Sequence, residues 1–206
     1  MHVLELFAGT GSVGNVCREL GHEVVSLDRD MPADISTDIM DWDYTIYPPG
    51  HFDFIWASPP CTEYSIAKTV GTRKISEANE VVQRTLAILR YFEPRYWVLE
   101  NPQTGYLKNQ VFMTELPYND VDYCRYGMPY RKRTRLWNNI ANWTPRPLCR
   151  RDCDSTDPVT KRHLQIAQRS PHGASSQWGE RHSNRLTHLY RVPTGLISEI
   201  LEGAHD

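Results

Sequence analysis

No apolar run in this chain approaches the roughly 20 residues needed to span a bilayer. The N-terminus enters a strand directly, with neither a basic region nor a cleavage site ahead of it. Both absences point to a soluble, intracellular protein with no secretion signal and no membrane partner. Cysteine is scarce as well: Cys17, Cys61, Cys124, Cys149 and Cys153 are odd in number and not spaced as pairs. That excludes a disulfide framework and leaves reduced thiols or metal ligands. Internal repeats and low-complexity tracts are missing. With 206 residues, 40% of them hydrophobic, the chain can bury one full core, so one main domain with a small appendage is expected.

Basic residues are scarce in the first part of the chain. Residues 1–124 hold 9 Lys and Arg against 18 Asp and Glu, whereas residues 125–206 hold 14 against 7, within a total net charge of −2. A basic segment on a near-neutral chain is what a polyanion-binding face requires, and a solvated surface fits the same charge run.

What is present is a series of apolar runs, most of them ending in Gly or an acidic residue. His2–Phe7 reads as a strand, followed by the turn Ala8-Gly9-Thr10-Gly11-Ser12 and a helix carrying Val13, Val16, Cys17 and Leu20. Glycines there allow a ligand close to the backbone, and the helix start adds unpaired amides. Glu23–Leu27 is a second strand with Asp28 just past it, where such folds hold ribose hydroxyls. Residues 34–39 suggest a short third strand with Asp38 at its end. Phe52–Trp56 is a fourth, leading into Ser58-Pro59-Pro60-Cys61, whose two prolines stiffen the turn that carries the thiol. A helix from about Ser76 follows, with Glu80 as a capping-box partner one residue late, then a fifth strand, Tyr96–Leu99, closed by Glu100-Asn101-Pro102. Val121–Cys124 and Thr134–Trp137 read as the last strands, separated by the cluster at Arg131, Lys132, Arg133 and Arg135. Pro193 opens an amphipathic helix with Leu196, Ile197, Ile200 and Leu201 on one side. Strands alternating with helices predict an α/β, doubly wound, Rossmann-like sheet with helices on both faces, plus an irregular basic insert over 141–190 and a packing helix over 191–206.

Taken in order, Phe7-x-Gly9-x-Gly11, Asp28, Asp38-Ile39, Pro59-Pro60-Cys61 with Ser65, Glu100-Asn101 and Arg133-x-Arg135 resemble the motifs of the cytosine-5 DNA methyltransferase family, in a compact, phage- or virus-like form. The resemblance covers roughly residues 1–140, the expected catalytic domain. It implies S-adenosylmethionine bound by Phe7, Gly9, Gly11, Ser12, Asp28, Asp38, Ile39 and Pro59, and a flipped-out cytosine of double-stranded DNA facing Cys61. Ring carbon 5 of cytosine is too weak a nucleophile to take a methyl group until a thiolate adds at carbon 6. Cys61 suits that step, Glu100 can hold the exocyclic amine and a proton on ring nitrogen 3, and Arg133 and Arg135 can hold the base carbonyl and a phosphate.

The chain departs from the family in having Thr62 after the cysteine, Pro102 after Glu-Asn, Arg131 at the head of the arginine motif and no visible Gly-Asn motif near its C-terminus. A tRNA cytosine-5 methyltransferase of the same family is the alternative enzyme. A catalytically idle nucleic-acid-binding regulatory protein is the alternative of another class. Either enzyme would work in the cytoplasm or wherever the host-cell nucleic acid lies.

Within the insert, Cys149-x-x-x-Cys153 with Cys124 before it and His163 after it has the residue types of a tetrahedral zinc site, and unrelated cysteines fit the spacing equally. His172 is a further candidate, set aside for its place between Pro171 and Gly173. Arg146, Arg150, Arg151, Lys161 and Arg162 are the expected phosphate contacts.

Overall fold

The structure, a computed structural model, describes residues 1–167 and 191–204. Its strands are β1 (His2–Leu6), β2 (Glu23–Asp28), β3 (Ile35–Ser36), β4 (Phe54–Ala57), β5 (Tyr96–Pro102), β6 (Tyr118–Asp122) and β7 (Arg133–Asn138). Its α-helices, among the described residues, are α1 (Ser12–Glu19), α2 (Ile75–Phe92) and α3 (Thr194–Gly203). One seven-stranded sheet runs in the order β3-β2-β1-β4-β5-β7-β6. The first five strands are parallel, and β7 lies antiparallel between β5 and β6.

The central strands are buried on both faces, which is why they read as apolar runs rather than alternating ones. Successive side chains point to opposite sides. Val3, Phe54, Trp56 and Val98 pack against α1 and α3, while Leu4, Leu6, Ile55 and Leu99 pack against α2. The expected α/β layering with helices on both faces is what forms. Among the described residues, no helix is long and apolar enough to cross a membrane.

Several boundaries differ from the sequence reading. β3 is only Ile35–Ser36, so Asp38 stands two residues beyond it, in a turn. The capping box does not form: α2 starts at Ile75, which places Ser76 inside the first turn, and Lys74 caps it without a side-chain bond. The Lys74 amide instead donates to Glu63 Oε2 at 2.7 Å. β5 continues through Glu100-Asn101-Pro102 because β7 pairs with it that far. β6 stops at Asp122, and Cys124 falls in a 3-10 turn over Tyr123–Tyr126.

From β1 the sheet extends one way through β2 and β3 and the other way through β4 and β5. In open α/β sheets the crevice at the carboxyl ends of the strands beside such a reversal is where ligands bind.

Candidate active site and metal centre

At the carboxyl end of β1, Phe7, Gly9 and Gly11 all have left-handed backbone, with φ of 60°, 54° and 68°. Glycine adopts this freely, but at Phe7 it costs on the order of 1 kcal/mol, which the surroundings must hold in place. Asp28 is the anchor. Its Oδ2 accepts the Gly9 amide at 2.8 Å and its Oδ1 the amides of Asp30 and Met31, each at 2.8 Å, so one carboxylate orders the loops after β1 and β2.

Glu5 completes the turn from below. It is buried within β1, and its two oxygens accept the amides of Val13 (3.2 Å) and Gly14 (3.0 Å), capping α1, whose own N-cap Gly11 has no side chain to do so. Burial pushes the Glu5 carboxyl up to about 7, although both amides and Arg18 oppose the shift. Sequence reasoning passed over Glu5; the available signal was a carboxylate in the middle of a strand buried on both faces.

The cysteine turn is fixed from the neighbouring strand. Asn101, fully buried on β5, donates its Nδ2 to the Pro59 carbonyl at 2.9 Å. Glu100, the residue before it, is buried beside Cys61 and accepts the Tyr123 hydroxyl at 3.0 Å and the Lys132 ammonium at 3.4 Å, both on Oε1. Burial, with Glu100 adding to it, pushes the Cys61 thiol pKa up, and Lys132 opposes both. Beyond Cys61 the loop is tied to itself: Glu63 pairs with Lys68 at 2.6 Å, and Arg73 donates to the carbonyls of Glu63, Ser65 and Lys68.

One cavity of about 440 Å³ joins these parts. Its lining includes Phe7, Gly9, Ser12, Asp28, Asp38 and Ile39 from the chain at the ends of β1, β2 and β3, Cys61, Glu100 and Lys132 from the cysteine turn, β5 and the chain before β7, and Pro59. Gly11 shapes the turn without lining the cavity. Arg133 and Arg135 do not line it. β6 sets Asp122 opposite Arg133 and Asp120 opposite Arg135, and both guanidiniums are held there with Nε and Nη2 on the two carboxylate oxygens at 2.7–3.0 Å. The cation beside Cys61 and Glu100 in the cavity is instead Lys132, which the sequence reading left inside a cluster without a role.

Arg146, half exposed, donates to Glu199 Oε1 at 2.7 Å on α3 and to the Arg125 carbonyl and stacks on Tyr126, so it also ties the insert to the domain. Arg150, Arg151, Lys161 and Arg162 are exposed. His172 lies outside the described residues.

Cys124, Cys149, Cys153 and His163 converge, with their ligand atoms all within 4.8 Å of one another. His163 Nε2 is 3.5 Å from both Cys149 Sγ and Cys153 Sγ. A tetrahedron with metal–sulfur and metal–nitrogen bonds of about 2.3 and 2.05 Å has S···N edges of about 3.6 Å. The donor set therefore fits zinc in type, number and spacing. Burial and nearby Arg131 hold the His163 pKa down, which keeps a ring lone pair for a metal, and the Arg151 amide points at Cys149 Sγ at 3.3 Å.

No family model matches the chain. Over 220 residues it is 34% identical to a protein of Frog virus 3 (isolate Goorha) named "Probable DNA (cytosine-5)-methyltransferase", covering 98% of this chain and 99% of the relative. The chain belongs to the DNA (cytosine-5)-methyltransferase family. Among solved structures, a crystal structure described as a "putative DNA modification methyltransferase" encoded within an E. coli prophage superposes with a TM-score of 0.54 at 15% identity. It matches 72% of this chain, which spans about half (52%) of that protein, and shares the fold.

Proposed function

We propose that the chain transfers a methyl group from S-adenosylmethionine to carbon 5 of cytosine in double-stranded DNA, through a covalent adduct between Cys61 and a base flipped out of the duplex. The observation that carries this reading is the single cavity lined both by the glycine turn and two aspartates and by Cys61 and Glu100. Left-handed backbone at Phe7 and Gly9 opens a cradle. Phe7, Ile39 and Pro59 give it apolar walls, and Asp28, after taking three amides, keeps one lone-pair site on Oδ2 for a ribose hydroxyl. That lining fits a nucleoside bearing a sulfonium. When bound, S-adenosylmethionine supplies the electrophilic methyl group.

The protein's residues do the rest. The Cys61 thiolate forms a bond to ring carbon 6, and the π electrons pushed onto the ring make carbon 5 nucleophilic. Glu100 takes the exocyclic amine and shares a proton with ring nitrogen 3, offsetting the charge that develops there. Lys132 makes the thiolate easier to form and keeps Glu100 oriented. Once carbon 5 carries the methyl group, its proton passes to water and the carbon–sulfur bond breaks, returning the thiolate. Arg133, about a third exposed beside its Asp122 partner, has a remaining N–H group for a phosphate. Arg135 is the more enclosed of the two and holds β7 to β6. The same reading places a structural zinc on Cys124, Cys149, Cys153 and His163.

Transfer of labelled methyl groups to duplex DNA and to tRNA tests the assignment. Transfer to DNA supports it; transfer to tRNA alone moves the substrate to the other branch of the family. If calorimetry detects no S-adenosylmethionine binding with or without DNA, the chain is not an enzyme of this kind.

A further inference from the structure

We infer that the metal centre positions the base-facing side of the cavity, so that it acts on turnover and not only on the fold of the insert. This rests on zinc occupying the four ligands. Two hydrogen bonds carry it. Cys124 directly follows Tyr123 in the 3-10 turn after β6, and Tyr123 is the fully buried phenol that donates to Glu100. Cys149 donates its amide at 2.9 Å to Asp122 Oδ2, the same oxygen that accepts Arg133 Nη2 at 2.7 Å. Two of the four ligands are thus one bond, or one residue, from the groups that hold Glu100 and Arg133.

Tyr123 links these parts. Its amide donates to the Lys132 carbonyl at 3.2 Å, and the Lys132 ammonium lies 4.9 Å from its ring centroid on the way to Glu100. Whatever fixes the turn at Cys124 therefore fixes a phenol that touches Glu100 and Lys132, two of the groups beside Cys61 in the cavity. Outer-shell partners orient ligands, and the relation also runs outward, from a rigid metal to the hydrogen bonds built on its ligands.

The insert is short of other ways to hold that turn. Over the described part of 141–167, Trp143 and Cys149 are its buried hydrophobic residues, whereas Val159, Leu164 and Ile166 are 86%, 64% and 71% exposed. Ordering a loop costs about 1–2 kcal/mol per residue, which so little apolar burial does not offset. A metal does supply folding free energy of that kind. It would close the ring from His163, on the bridge with Thr156, and Cys153, just before it, back to the turn after β6 at Cys124.

The test uses full-length protein purified without chelator. Metal analysis should find one zinc per chain, and replacement by cobalt should give the intense thiolate-to-cobalt absorption of a tetrahedral thiolate-rich site. Stripping with a chelator should leave S-adenosylmethionine affinity within about twofold, because Gly9 and Asp28 lie at the ends of β1 and β2, and lower kcat at least tenfold, with recovery when zinc is restored. Amide exchange should rise over 118–136 and stay unchanged over 1–28. Tyr123→Phe keeps every ligand, so it should keep zinc and the cobalt spectrum yet reproduce most of the kcat loss with an unchanged KM for the cofactor. If zinc is present but stripping raises only the KM for DNA and Tyr123→Phe is silent, the positioning role is wrong and the zinc assignment stands. If neither zinc nor cobalt binds, the metal centre itself is wrong, and the positioning role falls with it.

Discussion

Cys61 sits in an environment that at first sight works against its chemistry. Burial and the Glu100 carboxylate both push its pKa up, and Lys132 is the cation that opposes them. Removing that charge should raise the thiol pKa further. Lys132→Met should therefore slow iodoacetamide labelling of Cys61 several-fold near pH 8, measured by mass spectrometry, while denatured protein labels as before. Equal rates in the folded variant and the parent would show that Lys132 does not act on the thiol. Glu5 makes a second prediction. Its folded pKa, about 7, lies above the ordinary carboxylate value of 4.5, so the folded state binds the proton more tightly than the unfolded chain does. The stability this contributes is complete below about pH 4.5 and is lost as pH rises through 7. Urea unfolding at pH 5 and 8 should show the parent losing up to roughly 3 kcal/mol more across that interval than Glu5→Gln.

Helices and turns carry their own tests. Gly14 lies in α1, where alanine ordinarily gains up to about 1 kcal/mol. Here a Cβ would stand 2.5 Å from Glu5 Oε2, with Arg18 and Val24 also close, so Gly14→Ala should displace the carboxylate that caps the helix and lower the melting temperature. Gly203 in α3 is similar, since a Cβ there would meet the Trp143 Cβ at 2.8 Å and its backbone at 3.2 Å. A rise in melting temperature for either variant would contradict the packing described. The motifs of the cavity were legible in sequence because they are local: a glycine turn, a proline-stiffened cysteine turn, a Glu-Asn at a strand end. Why the last two go together was not legible. Asn101 reaches 42 residues back to the Pro59 carbonyl, and only the β4–β5 pairing brings them together. The capping box failed because Glu63, 11 residues before Lys74 in the loop that leads into α2, holds the start of that helix.

Across the whole molecule, the charge asymmetry read from the sequence is real but partly internal. Arg133, Arg135 and Arg146 are engaged by Asp122, Asp120 and Glu199, pairings set by strand register and by α3 docking, which no local pattern announces. The four proposed metal ligands, by contrast, were singled out by residue type alone, and the fold brings all four together from three separate stretches of chain. Exposed Arg150, Arg151, Lys161 and Arg162 remain phosphate candidates. Changing Arg150 and Arg151 to Ala should weaken DNA binding equally for all sequences and flatten the dependence of log affinity on log salt by about one unit for each phosphate no longer neutralised. The central claim is that one cavity brings a cofactor cradle and the Cys61 thiol to the same cytosine. Duplex DNA containing 5-fluorocytosine tests it most directly, because a methylated carbon 5 bearing fluorine has no proton to lose and the carbon–sulfur bond cannot break. The account predicts a denaturation-resistant protein–DNA complex that requires S-adenosylmethionine, maps by mass spectrometry to the peptide containing Cys61, and is missing in Cys61→Ala. A complex mapped to another cysteine, or labelled methyl transfer to ordinary cytosine with no trapped complex on the fluorinated DNA, would contradict it.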